Sequence, residues 1–138
     1  MAGDADFALL LSTIYLSKGE IKGRKRLQKI VCILKYHYSI PFQFEFRPYF
    51  YGPYSQQLAD AISLLEAVGL VEEVEEELPS GILQYDYFLT KKGEKTTEEI
   101  LSKGFGNETL LPNLKQALAS ISDLETSDLV SIAKSIIQ

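Results

Sequence analysis

The chain has 138 residues, 46% hydrophobic and 24% charged, with a single cysteine. This is an ordinary globular composition, long enough to bury a core without staples, which argues against disorder and against an internal disulfide. The net charge of −5 is unevenly spread: residues 1–47 hold eight basic and four acidic side chains, the remainder six and fifteen. All three arginines fall in the positive third, so a cationic face on an acidic chain is expected.

In chain order, residues 4–17 carry Phe7, Leu10, Leu11 and Ile14 at helical spacing, with Asp4 and Asp6 suited to an N-terminal turn and Gly19 as a stop. The apolar run 7–16 is too short to span a bilayer and follows acidic rather than basic residues, a poor signal peptide. A soluble cytoplasmic protein with no membrane partner is expected. Residues 24–37 form a second helix with Leu27, Ile30, Val31 and Leu34 inward. Lys25 and Lys29 lie opposite and point outward, and Arg24 runs along the core boundary. Residues 38–53 are an extended connection in which Phe42, Phe44 and Phe46 alternate with polar residues between two prolines. A third helix is expected from about Pro53 to Val68, with Pro53 at its first position and Gly69 after its end.

A hairpin follows. Two strands flank Pro79-Ser80-Gly81, and Leu83, Tyr85, Tyr87 and Leu89 alternate as a half-buried strand does. Thr90 caps a helix over about 91–103. Gly104 and Gly106 mark a break, and 112–121 and 127–137 carry two further helical patterns. The stripe of Leu129, Ile132, Ala133 and Ile136 is open to packing on the first helix or to forming a homodimer. The order helix, helix, helix, strand, turn, strand, helix gives an α+β winged helix-turn-helix over 1–104. It carries an aromatic insertion between helices 2 and 3, and a helical C-terminal extension over 105–138.

Two stretches resemble known families. "YDYFLTKKGE" is similar to the second wing strand and following helix of MarR- and PadR-like regulators. "GRKRLQKIVCILK" followed by "FRPYFYGPYSQQLADAISLLEAVGLVEE" resembles the YwgA-like proteins of bacteria and archaea, through Gly23, Arg24, Leu27, Gln28, Lys29, Tyr51, Gly52, Pro53, Tyr54 and Ser55. The pattern is more distantly similar to Panacea-type antitoxin domains, which neutralise toxins by protein contact. The resemblance implies a fold more than an activity.

No reaction constellation assembles. His37 stands alone between two tyrosines, Cys32 reads as a small apolar filler, and "EEVEEE" splays its carboxylates over two faces of a strand. A non-catalytic module with no cofactor and no metal is expected. The first candidate role is a nucleic-acid-associated regulator that meets phosphate through Lys22, Arg24, Lys25, Arg26 and Lys29, with Gln56 and Ser63 as base readers. Against it, the third helix has no cation, and Glu72, Glu73, Glu75, Glu76, Glu77 and Asp86 surround the wing. The second is a protein-interaction module that docks an acidic partner through the basic helix and a turn containing Arg47, Tyr49, Tyr51, Tyr54 and Ser55. Nine of the fifteen aromatics lie in residues 36–54; core packing is the expected fate of that cluster, and an exposed platform is the alternative.

Overall fold

The computed structural model describes residues 3–138. It is an α+β fold with six α-helices and a three-stranded antiparallel sheet among those residues. The order is α1 (Asp4–Leu16), β1 (Glu20–Lys22), α2 (Arg24–Tyr36), α3 (Gln56–Ala67), β2 (Val71–Glu77), β3 (Leu83–Leu89), α4 (Lys91–Lys103), α5 (Leu110–Ile121) and α6 (Thr126–Ile136). A 3-10 turn at Gly104–Gly106 separates α4 from α5. The layout is compatible with the expected winged-helix order.

One strand was not expected. β1 pairs antiparallel with β3, Ile21 opposite Tyr87, so that the sheet runs β1-β3-β2. Three residues carry too short a period to be read as a strand, and the pairing is made by a segment far along the chain. On the other side of β3 the register sets Val71 against Leu89, Glu73 against Tyr87 and Glu77 against Leu83. Val71, Tyr87 and Leu89 are buried, whereas Leu83 lies exposed towards the hairpin tip. Asp86, expected on the acidic surface, is instead buried, and its carboxylate accepts a hydrogen bond of 2.8 Å from the Gln84 amide. Glu72, Glu75, Glu76 and Glu77 are exposed.

Helix α2 is the centre of the molecule. From Leu27 to Leu34 every side chain is buried, because α6 and α5 pack along it while the aromatic connection covers another side. A helix apolar or covered all round is a core helix, and the unbroken run Ile30-Val31-Cys32-Ile33-Leu34 is its sequence mark. The expected outward direction of Lys29 is therefore corrected: its side chain is 3% exposed. The C-terminal stripe packs on α2 rather than on α1, with Leu129 and Ala133 buried. Leu114, Ala117, Leu118 and Ile121 of α5 join the same core cluster.

Helix α3 begins at Gln56, not at Pro53. Ser55 is its N-cap, and its hydroxyl accepts the Leu58 N–H at 3.2 Å, the role for which serine is favoured. Gly52 and Pro53 belong to the turn ahead of it. Leu58, Ala61, Ile62 and Leu65 are buried as the spacing implies. The junction between α3 and α4 closes through Thr90, whose hydroxyl donates to Gly69 O at 2.6 Å and accepts the Gly93 N–H at 3.0 Å.

Gly93 lies against the backbone at this junction: a Cβ there would come within 2.0 Å of Leu70 O. The closest atoms belong to the Leu70 backbone, which cannot swing aside as the end of a side chain can. Gly93→Ala is expected to lower the unfolding free energy by about 2–3 kcal/mol, measured as a shift of the urea midpoint at unchanged slope.

Candidate functional site: the aromatic turn against helix α2

The connection between α2 and α3 has two halves with opposite fates. In the first, Phe42, Phe44 and Phe46 are buried while Pro41, Gln43, Glu45 and Arg47 are exposed. This is the period of a strand, yet among the described residues no strand pairs with it. Side chains supply the hydrogen bonds instead. The buried Asp6 accepts the Gln43 N–H at 2.8 Å, Gln57 accepts the Glu45 N–H at 2.7 Å, and Lys35 donates to Phe44 O. Core burial, the expected fate of the aromatic cluster, holds for these three phenylalanines.

It does not hold for the second half. After Phe46 the alternation stops, and Tyr49, Phe50 and Tyr51 are 61%, 84% and 64% exposed. The turn that carries them is tied down at its base. Arg47 and Tyr54 exchange backbone hydrogen bonds of 3.0 and 2.9 Å, and the Tyr49 ring meets Tyr54 edge-on at 5.6 Å.

Helix α2 holds the same turn from beneath. The Gln28 amide donates to Ser55 O at 2.9 Å and accepts the Ser55 N–H at 2.8 Å, both buried. One turn of helix lies between Gln28 and Arg24, while Lys29 follows Gln28 directly and donates to Pro53 O at 2.7 Å. Gly52 sits over the Lys29 stem at φ +101°, where a Cβ would lie 3.0 Å from Lys29 Cε. Only glycine combines that φ with so close an approach. Arg24, Lys25, Gln28 and Lys29 from α2 and Tyr49, Phe50, Tyr51, Gly52 and Tyr54 from the turn line a cleft of about 410 Å³.

The five cations expected to meet phosphate are thus dispersed. Lys22 and Lys25 are exposed, the Lys25 ammonium standing 4.9 Å from the Tyr51 ring centroid. Arg24 lies 3.8 Å over the Tyr85 ring, pairs with Glu73 at 3.3 Å and donates to the Tyr87 hydroxyl at 3.3 Å. Arg26 donates to Ser122 O at 2.6 Å and to Thr126 Oγ1 at 3.3 Å, holding the link between α5 and α6. Lys29 is buried. Of the expected base readers, Ser63 is exposed and Gln56 donates to Asp60 at 2.9 Å. Among the expected partner contacts, Tyr49, Tyr51 and Arg47 are exposed and Tyr54 is half-buried. Ser55 is buried and occupied as a cap, so it is not a surface contact. Phe50, part of the expected turn but not among its named contacts, is the most exposed of the three, and the end of the period-two pattern between Pro48 and Gly52 is the signal that marks it.

Burial sets the chemistry of the remaining reactive groups. It pushes the Cys32 thiol up to about 11, against the thiolate a nucleophile needs. His37 is exposed beside Tyr38. Among the described residues no three His, Cys, Asp or Glu side chains converge as metal ligands, and no helix is long and apolar enough to cross a membrane.

Burial also lowers the Lys29 ammonium to about 8, with Lys25 and Lys134 adding repulsion. A lysine depressed on folding is a stability statement. Between about pH 8 and its unfolded value near 10.5, the unfolded chain holds a proton the folded chain has released, so folding gains as pH rises through that window. Cys32 and Tyr87, raised from 9.0 to about 11 and from 10.0 to about 12, act in the opposite direction over windows that overlap the upper part of this one. The Lys29 contribution is therefore read against Lys29→Met. The stability of wild type relative to that variant should rise by up to about 3 kcal/mol from pH 8 to 10.5, followed by denaturant unfolding at each pH.

No protein-family model matches the chain. Among curated proteins, it is 41% identical over 83 residues to the uncharacterized protein YwgA of Bacillus subtilis (strain 168), a stretch that is 60% of this chain and 49% of that protein. The chain spans about half the length of the curated relative it matches, and this similarity supports the YwgA-like resemblance of its motifs.

Proposed function

We propose that this chain is a non-catalytic binding module on a winged-helix-like scaffold, and that it docks an acidic protein partner through the aromatic turn and the adjoining face of α2. The observation that carries this reading is the display of Tyr49, Phe50 and Tyr51, three consecutive exposed aromatics, on a turn fastened by buried hydrogen bonds. Exposed aromatics on a preformed support are what a docking anchor needs, because little is lost to ordering when a partner arrives. Lys25 places positive charge beside the turn, its ammonium 4.9 Å from the Tyr51 ring, and the glutamates of β2 place negative charge on the wing. An acidic partner would be drawn to the first and turned away from the second. The distant similarity to antitoxin domains suggests neutralisation of a partner by contact.

A nucleic-acid role has weaker support. Arg24, Arg26 and Lys29 are engaged within the chain, which leaves fewer cations to release counterions from a duplex.

The test is affinity capture from the native host with wild type and with Phe50→Ser/Tyr51→Ser, alongside gel shifts on random duplex DNA at low salt. Both positions are exposed, so the double variant should melt within about 2 °C of wild type. The expected result is a stoichiometric protein partner, retained by wild type and weakened at least tenfold by the double variant. Duplex binding that the aromatic changes leave intact and Lys22→Ala/Lys25→Ala abolishes would overturn the reading in favour of nucleic acid. Absence of any stoichiometric protein would overturn it as well.

A further inference from the structure

The cleft beneath the aromatic turn contains a charge arrangement that fold maintenance alone does not require. Lys29 is nine-tenths buried, yet its ammonium has one hydrogen-bond acceptor, Pro53 O, for three donors. No carboxylate lies within 4 Å of it among the described residues, where Arg24–Glu73 is the one ion pair. None of the residues lining the cleft is acidic. Two more ammonium groups approach from different elements, Lys25 one turn earlier on α2 and Lys134 on α6, whose stem reaches the same Gly52 that covers Lys29. A buried cation without a counter-ion is costly. A methionine would fill the same space without that cost, at the loss of one hydrogen bond to Pro53 O.

We propose that Lys29 is the floor of an anion seat in this cleft, and that it receives a carboxylate of the docking partner, carried beside an aromatic or aliphatic group that packs against Tyr49 and Tyr51. This rests on the protein-docking reading of the turn and names the chemistry of its anchor. Carboxylate is favoured over a free small-molecule anion by continuity. The cleft opens directly onto the exposed ridge of Tyr49, Phe50 and Tyr51, a surface that extends past what a small anion would cover. An acidic residue entering beside an apolar neighbour would use both parts at once, the charge on Lys29 and the apolar group on the tyrosine rings.

The seat has a pH signature. The titratable and charged groups around Lys29 and its cleft are Arg24, Lys25 and Cys32 on its own helix, Lys134 on α6, and Tyr49, Tyr51 and Tyr54 of the turn. A carboxylate bound against the ammonium favours its charged form, so ligand binding must raise the Lys29 pKa from about 8. By linkage, affinity must fall as pH rises above about 8, by roughly tenfold per unit until the bound-state value is reached.

The experiment is an NMR titration of the full chain, labelled at lysine, tyrosine and phenylalanine side chains, with three probes: N-acetylphenylalanine, its neutral amide, and inorganic phosphate. The expected result is that the free acid shifts the Lys29 side-chain signals, raises its pKa by at least one unit at saturation, and binds at least fivefold more tightly at pH 7 than at pH 9. The amide should leave Lys29 unmoved, and Lys29→Met should abolish the pH dependence of acid binding. Equal effects of acid and amide would overturn the anion seat. So would shifts confined to Tyr49–Tyr51 signals, a result that leaves the docking ridge itself intact. No response to the acid at all overturns the seat, while partner capture by the aromatic turn tests the docking reading separately. Phosphate acting on Lys29 as strongly as the acid overturns the carboxylate assignment.

Discussion

The paired hydrogen bonds between the Gln28 amide and the backbone of Ser55 are the constraint around which the site is organised. Ser55 ends the aromatic connection and caps α3. Fixing both its N–H and its C=O from α2 therefore sets where the third helix starts and how the turn before it leaves the surface. Removing that amide would strand the buried Ser55 N–H and leave Ser55 O with the Ala59 N–H alone, at 3.2 Å. Lys29 adds a third bond to Pro53. The sequence Gln28-Lys29 on one helix and Gly52-Pro53-Tyr54-Ser55 on the turn are thus two halves of one contact. This gives a physical reason for the two motifs to occur together in one chain.

The same logic governs the phenylalanine segment. Its alternation matches a strand, but the sheet is completed elsewhere by β1, β3 and β2. Backbone groups of the segment are met by Asp6, Lys35 and Gln57 from three different helices. Such side-chain partners fix an extended chain without leaving an open edge for another strand to pair with. They also tie α1, α2 and α3 to one another through the connection, so the exposed ridge stands on a base held from several directions.

Much of this was legible in the sequence. Helix spacing located six helices, and Thr90 marked the start of α4, whereas the close approach of Gly93 to Leu70 O is visible only in the structure. The stripe of α3 and the solvated glutamates of β2 also followed from periodicity. What was not legible depends on distant partners. β1 is a strand only because β3 arrives beside it. Lys29 is inward only because α6 and the turn close over a face that a helical wheel reads as open. Charge counting placed a basic patch on α2, but it could not show that Arg24 meets Glu73 or that Arg26 is used to hold Ser122. The aromatic cluster read as one unit divides at Phe46, where the alternating pattern ends. That local break was visible in the sequence and was the sign of a change from core to surface.

The site therefore joins a rigid base to an exposed tip, with positive charge at the side and a buried ammonium below. Rigidity of the base is the claim on which the rest depends, and amide hydrogen exchange at Ser55 tests it most directly. In wild type the Ser55 N–H should exchange at least about a thousandfold more slowly than an open chain. In Gln28→Ala it should lose most of that protection together with Tyr54 and Arg47, while the buried amides of α1 keep theirs. An unprotected Ser55 in wild type, or protection unchanged by Gln28→Ala, would contradict a turn held in place by helix α2.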